Sequence, residues 1–99
     1  MTLTLIVRRR AERQAANARD WYDGQHGGLG LEFIGELDRA ILRAHENPLH
    51  YQRVHHKVRR VLLRRFPFGV FYLADSRRVV VLAVLHQSEH PDKWSRLSD

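Results

Sequence analysis

Leu3-Thr4-Leu5-Ile6-Val7 is a short apolar run, rich in β-branched side chains, and predicts a first strand. From Arg8 to Asp23 the period changes. Ala11, Ala15, Ala18 and Tyr22 fall at i, i+4, i+7 and i+11, which is one face of a helix. The small alanines suit close packing against a neighbour, and Trp21 flanks the same face at the core edge. Gly24 to Gly30 contains four glycines and predicts a turn. A second helix is expected from about Leu31 to Glu46. Phe33, Leu37, Ala40, Ile41 and Ala44 form its apolar stripe, with Glu32, Glu36, Asp38, Arg39 and Arg43 mostly on the other side. Asn47-Pro48 stops it. Two helices joined by a short turn make an antiparallel hairpin.

Leu49 to Lys57 is polar and histidine-rich, and reads as a loop. Val58–Phe66, Val70–Ala74 and Arg78–His86 are β-branched and aromatic runs, with turns at Pro67-Phe68-Gly69 and Asp75-Ser76-Arg77. Such short connections predict an antiparallel meander. Val79 to Leu85 is continuously apolar, as a central strand covered on both faces would be. Val58–Arg65 carries Arg59, Arg60, Arg64 and Arg65, a loading that suits an edge strand. The expected order is β-α-α-β-β-β. It describes a single α+β domain over residues 1–99, with a helical hairpin packed on a mainly antiparallel sheet.

With 99 residues the chain can build one core, and an apolar share of 43% argues for a folded protein. The absence of cysteine excludes disulfides and thiolate metal sites. Met1 to Val7 is followed, not preceded, by Arg8, Arg9 and Arg10, so it does not read as a secretory signal. No apolar run reaches the roughly 20 residues of a membrane helix. A cytoplasmic protein without membrane contact is the expectation. The net charge is +6 and unevenly placed. Residues 1–46 hold seven Arg and seven acids, while residues 47–99 hold ten Lys or Arg against four acids. A field this one-sided favours a polyanion or an acidic protein partner, or else only keeps a basic face solvated.

Most catalytic patterns find no support. His55 and His56 are adjacent, His86 and His90 have i,i+4 spacing but Pro91 argues against a helix there, and no acid completes a metal set. No metal and no cofactor is expected. Ser76, Ser88, Ser95 and Ser98 lack any nucleophile setting. The glycine-rich turn lacks the phosphate-loop pattern. The basic set Lys57, Arg59, Arg60, Arg64 and Arg65 remains. On an extended strand Arg59 and Arg65 share one face, and Arg60 and Arg64 the other. These residues alone leave two readings open: a phosphate-handling enzyme, or a charged edge that binds an acidic partner without catalysis.

Arg59 through Tyr72, Val79 through His86, Asp20-Trp21-Tyr22-Asp23 and Glu46-Asn47-Pro48 together resemble the RelE/ParE superfamily of toxins from bacterial type II toxin–antitoxin systems. The resemblance spans nearly the whole chain. It implies the β-α-α-β-β-β order already derived, and growth inhibition neutralised by a cognate antitoxin. RelE-like members cut mRNA on the ribosome with a basic and aromatic set. Here Gly69 and Ser88 stand where that set calls for arginine, and Trp94 stands where it calls for tyrosine. The Phe66-Pro67-Phe68 and Leu82-Ala83-Val84-Leu85-His86 segments are closer to the ParE-like branch, which blocks DNA gyrase by binding and needs no catalytic residue. Close relatives read His-x-x-Arg-x-Pro after the last strand, whereas this chain has His86-Gln87-Ser88-Glu89-His90-Pro91. The charge reversal at Glu89 leaves two readings, an attenuated toxin or a change tolerated because it reduces toxicity. The resemblance therefore places partner or target contacts at Arg59, Arg60, Arg64, Arg65, His86, Glu89 and Trp94. The alternatives are a ribosome-dependent mRNA endonuclease using Arg59, Arg65 or His86, and a plain basic nucleic-acid-binding module.

Overall fold

The computed structural model describes residues 2–89. Strand β1 (Thr4–Val7) leads through Arg8 into helix α1 (Arg9–Gln25), and only residues 26–28 separate it from helix α2 (Leu29–Glu46). Strands β2 (Arg53–His55), β3 (Val58–Leu62), β4 (Phe68–Ala74) and β5 (Arg78–His86) follow. The sheet runs β1-β5-β4-β3-β2, with β1 parallel to β5 and every other pair antiparallel. The expected α+β architecture and the β3-β4-β5 meander are present.

Several boundaries differ from the expectation. The segment 49–57 is not all loop, because Arg53–His55 pairs with β3. That pairing moves β3 from the edge to the interior of the sheet. The strand also ends at Leu62, so Arg64 and Arg65 lie in the connection to β4, which begins at Phe68. Gly30 belongs to α2, not to the turn. Its amide and that of Gly28 both donate to Asp23 Oδ1, at 3.3 and 3.0 Å. The end of α1 thus caps the start of α2, whose own N-cap residue Gly28 sits at φ +90 and has no side chain to do so. Trp21 is 61% exposed and does not close the core. Tyr22 does, stacked on Phe33 and edge-on to Phe66.

Both helices lie on one face of the sheet. Ala11, Ala15 and Ala18 of α1 and Phe33, Leu37, Ala40 and Ala44 of α2 pack with Val61, Val70, Tyr72, Val79, Val81 and Val84. The opposite face carries Val58, Phe71, Val80, Leu82, Ala83 and Leu85, without a helix among the described residues packed on it. β5 is buried from Val79 to Leu85, as its unbroken apolar run predicts. Its alternation breaks at one extra residue, because Tyr72 pairs with Val81 but Phe71 pairs with Ala83. Beside this bulge the Val84 amide donates to Gln14 Oε1 of α1 at 2.8 Å. A polar side chain on the buried side of the helix thereby satisfies a backbone group.

Candidate functional site

The arginine-rich stretch does not form one surface. Arg59 points to the helix side of β3, where its guanidinium donates to the carbonyl of Tyr51 at 2.7 Å and to that of Leu49 at 3.4 Å. It ties down the segment between α2 and β2. Tyr72 pairs with Arg59 across the strands and works on the same segment, donating its hydroxyl to the Pro48 carbonyl at 2.6 Å. Burial pushes the Tyr72 phenol up to about 12, against the opposing charge of Arg59.

Arg60 points to the helix-free face. Its stem lies over Gly69, so close that a Cβ there would sit 3.1 Å from Arg60 Cγ and 3.4 Å from Leu62 Cδ2. Gly69 is therefore a slot for the stems of its cross-strand neighbours. A side chain at this position would need the Arg60 and Leu62 stems to give by a few tenths of an ångström. The Arg60 guanidinium itself makes no hydrogen bond or ion pair with a described residue, and neither does that of Arg64.

Arg65 is committed internally. It pairs with Glu32 at 2.8 Å, stands 4.0 Å from Glu36 Oε2 and lies over the Phe66 ring. Glu36 is the acid that the helical pattern placed on the solvent side, and it is buried. It accepts from Arg39 Nη2 at 2.8 Å and from the Arg64 amide at 3.3 Å. The Arg39 guanidinium holds its carboxyl below the usual carboxylate range despite the opposing effect of burial, and the amides of Arg65 and Arg64 assist. This carboxylate anchors the β3–β4 connection to α2. Arg59 and Glu36 thus hold backbone and Arg65 holds carboxylates of α2, while Arg60 presents charge on the helix-free face and Arg64 is exposed in the β3–β4 connection.

His86 closes β5 with its ring edge-on to Phe68. Its Nδ1 accepts the Ser88 amide at 3.0 Å and lies 2.8 Å from Ser88 Oγ. Ser88 therefore shapes a turn around the histidine. Glu89 is half-buried, and its amide donates to the His86 carbonyl at 3.0 Å. Trp94 lies outside the described residues. The rings of His55 and His56 are 4.3 Å apart at the β2–β3 turn, and no group of three His, Asp or Glu among the described residues could hold a metal ion. No helix among the described residues is long and apolar enough to cross a membrane.

A family model described as the ParE toxin of the type II toxin–antitoxin system, parDE, matches residues 5–91. No curated protein matches the chain. Among solved structures it is similar to a chain of the chromosomal ParDE TA system from P. aeruginosa, with a TM-score of 0.77. The identity is 16%, and the likeness covers 86% of this chain and 96% of that one. At that identity it bears on the fold.

Proposed function

The chain belongs to the ParE toxin family of type II toxin–antitoxin systems, and from that membership we propose that it is a growth-inhibiting toxin that acts by binding DNA gyrase and is neutralised by a cognate antitoxin. The family match over residues 5–91 carries the reading. Binding without cleavage is favoured by the site residues. Gly69 and Ser88 occupy the positions where resemblance to the mRNA-cutting branch calls for arginine. The space beside Gly69 is taken by the Arg60 and Leu62 stems, and Ser88 is engaged with His86. Arg59 and Arg65, two of the residues an mRNA endonuclease would use, hold backbone and carboxylates of the fold. Positive charge on Arg60 and Arg64 suits an acidic antitoxin segment, a common mode for a partner that folds on binding.

The test is a gyrase supercoiling assay with the purified protein. Inhibition that disappears when the antitoxin is added supports the proposal. Cleavage of ribosome-bound mRNA at defined positions would replace it with the endonuclease reading. Tight binding to free duplex with a steep salt slope, and no effect on gyrase, would leave a nucleic-acid-binding module.

A further inference from the structure

We infer that α2 pairs with the α2 of a second copy of this chain, antiparallel and about a two-fold axis, through the face it turns away from the sheet. Phe33, Leu37, Ala40 and Ala44 commit one side of the helix to the core. On a helical period Leu31, Gly35, Asp38 and Leu42 form the stripe directly opposite. A helix lying on a sheet ordinarily gives that stripe to polar side chains. Here both ends of it are leucines, 77% and 53% exposed. At the α-helical rise they stand about 16 Å apart along the axis.

A single exposed leucine needs no explanation, but the order of residues along this stripe selects a partner. Laid antiparallel on its own copy, the stripe matches itself. Leu31 faces Leu42 of the second copy, Gly35 faces Asp38, and each contact occurs twice, as an isologous interface requires. Charge fits as well. The Arg39 guanidinium lies across Gly35, with Nη1 3.6 Å from where a Cβ would stand. Asp38 is exposed and makes no ion pair with a described residue. In the pair each Asp38 therefore meets the Arg39 of the other copy, which keeps its bond to Glu36. Beside this contact lies a hollow of about 450 Å³, bounded by Leu31, Gly35, Arg39 and Arg65. Its charges are already matched, Glu32 with Arg65 and Glu36 with Arg39. A nucleic acid or an acidic peptide finds no surplus charge there. An apolar side chain entering it leaves no charge unpaired, and Leu42 of the second copy supplies one. One helix from each copy buries less than a standard interface, so the dimer is weak, with a Kd on the order of 100 µM.

Sedimentation equilibrium of the full chain, from micromolar to millimolar concentration, should show a monomer–dimer equilibrium. Amide NMR shifts that grow with concentration should fall on Leu31, Gly35, Asp38 and Leu42. Leu31→Glu, Leu42→Lys and Asp38→Arg should each weaken self-association on the order of tenfold. Their circular dichroism spectra should be unchanged, because all three side chains are exposed. Mixed in equal amounts, Leu31→Glu and Leu42→Lys should associate more tightly than either alone. Antiparallel order sets position 31 of one copy beside position 42 of the other, where the two new charges attract. A chain that stays monomeric at millimolar concentration would overturn the pairing. So would shifts confined to another surface, or a mixture that associates no more tightly than its components.

Discussion

Replacing Gly30 by alanine should destabilise the fold, although alanine is the better helix former. Gly30 lies in the first turn of α2, against α1. An added Cβ would sit 2.6 Å from the Arg19 carbonyl oxygen and 3.0 Å from both Arg19 Cγ and Asp23 Cβ. The nearest obstacle is backbone and cannot swing aside, so the helices must separate locally by close to 1 Å to restore ordinary contact. Overpacking of this kind costs about 1–3 kcal/mol. The same displacement stretches the bonds from the Gly28 and Gly30 amides to Asp23, and a lost cap costs about 1 kcal/mol. Better helix propensity returns about 1 kcal/mol. The net expectation is a loss of about 1–3 kcal/mol, on the order of a 10 °C fall in Tm for a domain of this size. Gly24→Ala is the matched control. It lies inside α1 with nothing within 4 Å of its added Cβ, and should stabilise by about 0.5–1 kcal/mol. Urea denaturation followed by circular dichroism measures both. Equal effects of the two substitutions would refute the close helix crossing at Gly30.

Three other outcomes follow from the same geometry. Tyr72→Phe should cost about 1 kcal/mol at neutral pH by leaving the Pro48 carbonyl without its donor, measured by thermal melts. In the wild type, the stability tied to the neutral Tyr72 phenol is fully present below pH 10 and is lost as pH rises towards about 12; the variant should lack that loss. His56→Gly should stabilise by about 1 kcal/mol, because His56 holds a left-handed φ of 49 at the β2–β3 turn; an unchanged urea midpoint would argue against strain there. Glu36 has a carboxyl pKa lowered by folding, so its contribution is present above the ordinary carboxylate range and disappears as pH falls through the lowered folded value. Glu36→Gln should be less stable than wild type at neutral pH, with the gap narrowing in acid, as read by denaturation at a series of pH values.

The elements with a strong period were legible in the sequence, and so was their order. The alanine and aromatic stripes of the helices lie on the core side, and the apolar run from Val79 to Leu85 is an interior strand. Partners were less legible than elements. Arg53-Val54-His55 has a single apolar residue and becomes a strand because β3 offers its hydrogen bonds, including that from the Arg60 amide to the Gln52 carbonyl at 3.1 Å. The parallel pairing of β1 with β5 leaves no local signal either. Glu36 was visible beside Arg39 on the helix surface, but its burial depends on the Arg64–Arg65 connection folding over it, 28 residues further along the chain. Counting charge joined Arg59, Arg60, Arg64 and Arg65 into one patch. Alternation separated Arg59 from Arg60 correctly, but the early end of β3 gave Arg64 and Arg65 other roles.

The pairing of β1 with β5 also constrains when the molecule can become whole. The first strand has its sheet partner at the far end of the described chain, and Gln14 reaches the Val84 amide across 70 positions. During synthesis the helical hairpin can form early from local contacts, but β1 has nothing to pair with until β5 has been made. The register of Ile6 beside Val80 exists only after that closure. A nascent or truncated chain ending before Arg78 would therefore lack the completed sheet, and its first strand would stand as an unpaired edge.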